Sequence, residues 1–232
     1  MDCKPYLRAH ADELIESLAA LIRIPSVEGT PEDGAPYGRE VARCLWETRA
    51  LCERLGFRTG NMDHRIGWCE YGEGEEMIAV LGHLDVVPAG DGWSEAEPFS
   101  GEVKNGRIYG RGAMDDKGPV VAAIYALAAL KDAGFAPARR IRILFGTNEE
   151  TGCGDMAWYR EHGGEKPVMG FTPDGEYPVI NGEKGILNGT FARRLHQTGV
   201  YRLTRLEGGT ASNVVPAYAV AELQCPADAA GR

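Results

Sequence analysis

Leu7, Ala11, Leu14, Ile15, Leu18, Leu21 and Ile22 recur at spacings of three and four, the period that lines one face of an α-helix. This pattern predicts a first helix ending before Pro25, since the residue before a proline is pushed out of the helical region. Residues 26–36 are rich in Gly and Pro and read as loop. Tyr37, Val41, Cys44, Leu45, Thr48, Cys52 and Leu55 mark a second helix, with Gly56 placed to cap it. Strand-like stretches follow at 57–61, 65–71 and 77–87, the last apolar enough for a central strand. Residues 102–109 read as a hairpin about Asn105-Gly106. A helix is expected over 118–132, with Val121, Ile124, Tyr125 and Ala128 on one face. A central strand over 140–145, a short helix over 156–162 and a strand over 168–172 complete the series. Such alternation predicts an α/β fold, a mixed but mostly parallel sheet with helices on both faces.

After Gly182 the texture changes, and 186–192, 200–206 and 218–224 read as strands. Residues 1–182 are therefore expected to form the N-terminal part of one domain and 183–232 the beginning of a second. A unit of about 50 residues sits at the low edge of what folds alone.

Composition narrows the function classes. Of 232 residues, 25 are Lys or Arg and 34 are Asp or Glu, a net charge of -9. That balance argues against nucleic acid and anionic membranes, which select clustered cations. The longest apolar stretch, 119–130, is well short of the ~20 residues that span a bilayer. The first residues lack a basic segment followed by an apolar core, so no secretory signal is read. Six irregularly spaced cysteines without a Cys-x-x-Cys pair read as reduced thiols, and a cytoplasmic location is expected.

The chemistry concentrates in four turns, each following a predicted strand. They carry His83 and Asp85, then Asp115-Asp116 between Gly112 and Gly118, then Glu149-Glu150, then Asp174 in Pro173-Asp174-Gly175. Taken singly, each has an ordinary reading: a strand-end His, a helix N-cap, an exposed acidic loop, a turn. Together they deliver one imidazole and several carboxylates from strand ends, where open α/β sheets bind ligands. Such a set can hold two divalent ions about 3.5–4 Å apart. The mixture of His and carboxylate suits Zn²⁺ foremost, and also Mn²⁺ or Co²⁺. Adjacent Glu149 and Glu150 point apart, so one can bind metal while the other takes a proton from water.

The segments 82–88 (GHLDVVP), 109–118 (YGRGAMDDKG) and 148–152 (NEETG) resemble the family of aminoacylases, acetylornithine deacetylases and dimetal dipeptidases. The segment 173–178 (PDGEYP) is most similar to its dipeptidase V branch, the deacylase branches usually carrying Glu where Asp174 stands. The resemblance runs from the first helix to about residue 225 and covers the N-terminal half of such proteins. It implies a zinc-exopeptidase-like fold in which 183–232 begin an α+β lid domain. It implies hydrolysis of dipeptides or other short peptides by a metal-bound hydroxide. In that scheme His83 and Asp174 bind one metal, Glu150 binds the other, Asp115 bridges them, Asp85 orients His83, and Glu149 is the general base. It also implies a cis peptide between Asp115 and Asp116, and a substrate contact from Asn213 in the lid segment. Members are about twice this length. Their catalytic domain resumes after the lid to supply a last metal-binding His, and the lid usually supplies a His that polarises the scissile carbonyl.

Neither of those two histidines has a motif-matched counterpart here; His10, His64, His162 and His196 read as surface or packing residues. Alternative readings are an N-acyl amino acid deacylase, an inactive truncated metal-binding remnant, and an acidic interaction domain without metal. The last leaves clustered carboxylates repelling one another with no cation. Oligomeric state, the metal used in the cell and side-chain preference are not encoded in any motif.

Overall fold

The computed structural model describes residues 2–175, 180–182, 185, 187, 189–209 and 215–227. The chain divides into two compact units, Met1–Ile180 and Asn181–Arg232. In the first, α1 (Lys4–Ala9), α2 (Ala11–Ile22) and α3 (Arg39–Arg54) precede β1 (Arg58–Met62), β2 (Ile66–Tyr71) and β3 (Met77–His83). Next come the hairpin β4 (Glu102–Lys104) and β5 (Arg107–Tyr109), α4 (Lys117–Asp132), β6 (Arg140–Gly146), α5 (Gly154–Glu161) and β7 (Met169–Phe171).

The single helix predicted at the N-terminus is two. His10 leaves helical geometry at φ -109°, ψ 16°. Its ring stacks on Tyr6 at 3.9 Å and its Nδ1 lies 2.9 Å from the Tyr6 carbonyl, a local contact that competes with helix continuation. At the other end of α3, Gly56 adopts φ 74°, the left-handed cap predicted for it. The β4–β5 turn likewise places Asn105 and Gly106 at φ 52° and 71°, as a tight hairpin requires.

Five strands form the main sheet in the order β1-β2-β6-β3-β7. The sheet is mixed, as expected. Its pairings are evenly divided among the described strands, however, where a mostly parallel sheet was predicted. β3 runs parallel to β6 and β7, whereas β2 is antiparallel to both β1 and β6. A short turn from Met62 to Ile66 can only join antiparallel neighbours; the parallel β3–β6 pair has α4 in its crossover.

Side chains alternate across this sheet with a period of two. Cys69, Val80, Ile143 and Phe145 face Leu18, Ile22, Leu45, Val120, Ile124 and Tyr125 from the helices. Ile66, Ala79 and Leu144 face the other way, against Tyr159 of α5. Helices thus cover both faces, and burying each large apolar side chain contributes about 1.5–3 kcal/mol. Cys44, Cys52 and Cys69 are buried among them as small hydrophobes.

One ion network is sunk into the sheet. Glu70 of β2, its side chain 9% exposed, lies 2.8 Å from Arg140 and 2.6 Å from Arg142 of β6. Arg142 also reaches Glu165 at 3.0 Å. Removing one partner of such a group leaves buried charge uncompensated. Glu70→Ala is expected to destabilise the first unit by about 3–5 kcal/mol in urea unfolding, while Glu73→Ala, which removes an exposed ion pair to Arg58, changes little.

In the second unit β8 (Arg202–Gly208) and β9 (Ala219–Gln224) form an antiparallel hairpin with a register shift between Leu203 and Arg205. The strand predicted over 186–192 is absent from the described residues 189–192; Ile186 and Asn188 lie outside them. An apolar run without a partner strand does not hold extended pairing.

Candidate metal centre

β3 ends at His83, four residues earlier than the apolar run predicted. The Leu84 N–H still donates to Gly146 O at 2.9 Å, but the chain then leaves β6. Ser26, fully buried, takes over: its Oγ donates to Leu84 O at 2.6 Å and its carbonyl accepts the Val86 N–H at 3.0 Å. This detour turns His83 and Asp85 toward the ends of β6 and β7. Both are buried, at 2% and 1% exposure.

His83 is the hub. Its Nδ1 lies 3.0 Å from the Asp85 carbonyl oxygen and 3.4 Å from Asp85 Oδ1. A carbonyl oxygen only accepts, so Nδ1 carries a proton and Nε2 is the atom facing the cluster. Around Nε2 stand Asp115 Oδ1 at 3.0 Å, Asp174 Oδ2 at 3.4 Å and Glu149 Oε2 at 3.9 Å. The carboxylate of Asp85 is engaged elsewhere: Oδ1 accepts the Glu149 N–H at 3.2 Å and Oδ2 the Glu150 N–H at 3.0 Å. The ring of His83 is therefore oriented chiefly by the backbone of Asp85, and the Asp85 carboxylate orients the paired glutamates.

Two ligand triads share His83. One is His83, Asp116 and Asp174; the other is His83, Asp115 and Glu150, the ligand atoms in each lying within 4.8 Å of one another. Asp115 and Asp116 are joined by a cis peptide bond. Asp115 is exposed, while Asp116 is fully buried, its Oδ2 accepting the His83 N–H at 3.1 Å. Gly82 permits this approach, since a Cβ there would lie 2.5 Å from Asp116 Oδ2. Lys117, also fully buried, anchors the following helix by donating to the carbonyls of Leu21 and Ile24 at 2.9 and 2.7 Å.

The electrostatics are those of a site short of positive charge. Burial, then Asp174 and Asp115, push Asp116 up to about 7 against the pull of His83. Glu149 and Glu150 are also raised, by burial first and then by neighbouring carboxylates. For His83 burial alone lowers the pKa, but the hydrogen bond and charge of Asp85, then Asp116 and Asp115, raise it to about 10. Asp116 Oδ1 is buried with no hydrogen-bond partner. One imidazole, several crowded carboxylates and an orphaned carboxylate oxygen fit a divalent cation, which would take the place of the proton on Nε2.

Six predicted residues, His83, Asp85, Asp115, Glu149, Glu150 and Asp174, come together here; Asn213 lies outside the described residues, as do Glu176, Tyr177 and Pro178. The other histidines of the first unit sit elsewhere: His10 stacks on Tyr6 and His162 on Trp158, and His64 bonds Asn61 through its backbone, while His196 of the second unit is exposed. Cys153 is exposed beside the loop, and burial, then Glu149 and Asp155, raise its thiol pKa, which disfavours a thiolate nucleophile. Sequence reasoning missed Ser26, Asp116 and Asp155. Only Asp116 carried a signal, its place in the Asp-Asp pair.

A helix-flanked mixed sheet with this cluster beyond the ends of its parallel strands defines an α/β domain with a candidate divalent-ion site. Residues 79–228 match the model of peptidase family M20/M25/M40, and the chain belongs to that family. It is 42% identical over 220 residues to the Bacillus subtilis (strain 168) protein named "Putative dipeptidase YtjP", covering 93% of this chain and 47% of that one. It is 37% identical over 230 residues to the Beta-Ala-Xaa dipeptidase of Lactobacillus delbrueckii subsp. lactis, covering 97% of this chain and 48% of that one. Human carnosine dipeptidase 1 shares the fold with a TM-score of 0.64 at 24% identity, over 75% of this chain and 41% of that one. The chain spans about half the length of the curated relatives it matches. No helix of the described residues is long and apolar enough to cross a membrane.

Proposed function

We propose that this chain carries the dimetal half-site of a cytoplasmic dipeptidase that hydrolyses the peptide bond of dipeptides or other short peptides. The observation that carries the reading is the convergence of His83, Asp115, Glu149, Glu150 and Asp174 at the ends of β3, β6 and β7 and before α4. Identity of 42% and 37% to proteins named as dipeptidases supports the substrate class.

In this reading His83 and Asp174 hold one ion, Glu150 the other, and Asp115 is shared, with Zn²⁺, Mn²⁺ or Co²⁺ as the occupants. Bound ions supply Lewis acidity, polarising the scissile carbonyl and acidifying water. Glu149 does the proton work. Its side chain is 46% exposed and 3.9 Å from His83 Nε2. It accepts a proton from the attacking water and returns it to the leaving amine. Asp85 keeps the proton of His83 on Nδ1 and holds the backbone from which both glutamates project. The proposed domain organisation, 1–182 as part of the catalytic domain and 183–232 as the start of a lid carrying Asn213, belongs to the same reading.

The test is an assay of purified protein with added Mn²⁺ or Zn²⁺ on a β-alanyl dipeptide, an α-dipeptide, a tripeptide and an N-acetyl amino acid. Cleavage of dipeptides that stops with EDTA is expected. Preference for the N-acetyl amino acid moves the protein to the deacylase reading. No turnover with about two ions bound leaves a metal-binding remnant.

A further inference from the structure

We infer that Asp155, at the start of α5, is a positioning residue for Glu149 and Glu150: with Asp85 it clamps the four successive backbone N–H groups of the loop that carries them. The inference rests on the assignment of those glutamates as base and ligand, and adds a residue that touches neither ion nor substrate.

β6 ends at Gly146 and α5 begins at Gly154, so the N–H groups of residues 147–150 belong to neither sheet nor helix. Each finds a carboxylate. Asp155 Oδ2 accepts the Thr147 N–H at 2.6 Å and the Asn148 N–H at 3.1 Å. Asp85 Oδ1 accepts the Glu149 N–H at 3.2 Å and Asp85 Oδ2 the Glu150 N–H at 3.0 Å. Both aspartates are 1% exposed. Bonds from N–H groups to a buried carboxylate are charge-assisted, shorter and stronger than those to a neutral acceptor.

The surroundings are cut to fit Asp155. A Cβ on Gly146 would lie 2.9 Å from its Oδ2. Its other oxygen accepts the Met156 N–H at 2.7 Å, tying the clamp to the first turn of α5. Asn148 closes the loop from inside: Oδ1 accepts the Gly154 N–H at 3.1 Å and its carbonyl accepts the Cys153 N–H at 2.8 Å. The loop thus hangs between two buried anions, one from the β3 side and one from α5. The Glu149 and Glu150 side chains project toward His83. Loosening one end lets the backbone beneath both glutamates shift, and a supporting residue of this kind changes metal affinity about 10- to 100-fold when removed.

The experiment pairs amide hydrogen exchange by NMR, on ion-free protein, with Mn²⁺ titration of the same samples. Asp155→Ala is expected to speed exchange at Thr147 and Asn148 and also at Glu149 and Glu150, while Ile143 and Leu144 in β6 keep their protection. One Mn²⁺ affinity, that of the Glu150 ion, is expected to fall about 10- to 100-fold with the other unchanged. Asp155→Asn keeps one acceptor oxygen and is expected to recover part of both effects. Exchange at Glu149 and Glu150 that stays at its wild-type rate overturns the inference, leaving Asp155 as a cap of α5 alone. A uniform rise through β6, or equal loss of both ions, overturns it in favour of a general folding role. If Asp155→Ala does not fold, Asp155→Asn is judged by the same measurements. A wild-type protein that binds fewer than two ions defeats the dimetal reading separately, and the exchange pattern still decides the clamp.

Discussion

Glu149→Gln is expected to lower dipeptide turnover by about 10²- to 10⁴-fold while leaving ion content at the wild-type value. Gln matches Glu in size and keeps the backbone N–H that donates to Asp85 Oδ1. It cannot take up a proton at neutral pH, so water loses its base and the leaving amine its acid. Metal analysis of the dialysed variant separates this from loss of a ligand. The carboxylate of Glu149 stands 3.9 Å from His83 Nε2, whereas Glu150 forms a ligand triad with His83 and Asp115. If Glu149→Gln loses an ion and Glu150→Gln keeps both, the two roles must be exchanged.

Asp115→Ala is expected to abolish uptake of both ions, from about two per chain to less than one by elemental analysis after dialysis against Zn²⁺ or Mn²⁺. Asp115 Oδ1 sits 3.0 Å from His83 Nε2 and groups with His83 and Glu150, which supports the proposed shared role. Losing it leaves each remaining ligand set with fewer donors and removes the link between them. Because its side chain is 62% exposed, the substitution should alter folding stability by no more than about 0.5 kcal/mol. Retention of two ions in this variant would falsify the bridging role and move it to buried Asp116, whose Oδ1 has no hydrogen-bond partner.

Much of the frame was readable in the chain. The apolar period of three and four marked α3 and α4, and the continuous apolar runs marked β3 and β6, since buried elements must present one face or both to the core. Gly56 and Asn105-Gly106 marked their turns because few residues tolerate positive φ. Where the reading erred, contacts that the apolar pattern does not encode decided, one local and two distant. The break at His10 depends on stacking with Tyr6. The early end of β3 depends on Ser26, far away in sequence, whose hydroxyl captures Leu84 O. The balance of antiparallel and parallel pairs depends on β2 lying beside β6, a choice of neighbour that an apolar pattern does not encode.

The same division holds for the site. Residue types and order in the four acidic turns pointed by themselves to the proposed metal chemistry, because a mixture of His and carboxylates suits a hard or borderline divalent ion. They also suggested the proposed division of tasks between Glu149 and Glu150, since neighbouring side chains diverge. Tertiary structure alone decided how those groups are held: the Asp85 carbonyl fixes the proton of His83, Asp116 is buried against the His83 backbone, and Asp155 reaches back to Thr147 and Asn148. A supporting Asp or Ser looks like any cap or turn residue in one dimension. It becomes distinct only when folding buries it beside backbone donors that no strand or helix can satisfy.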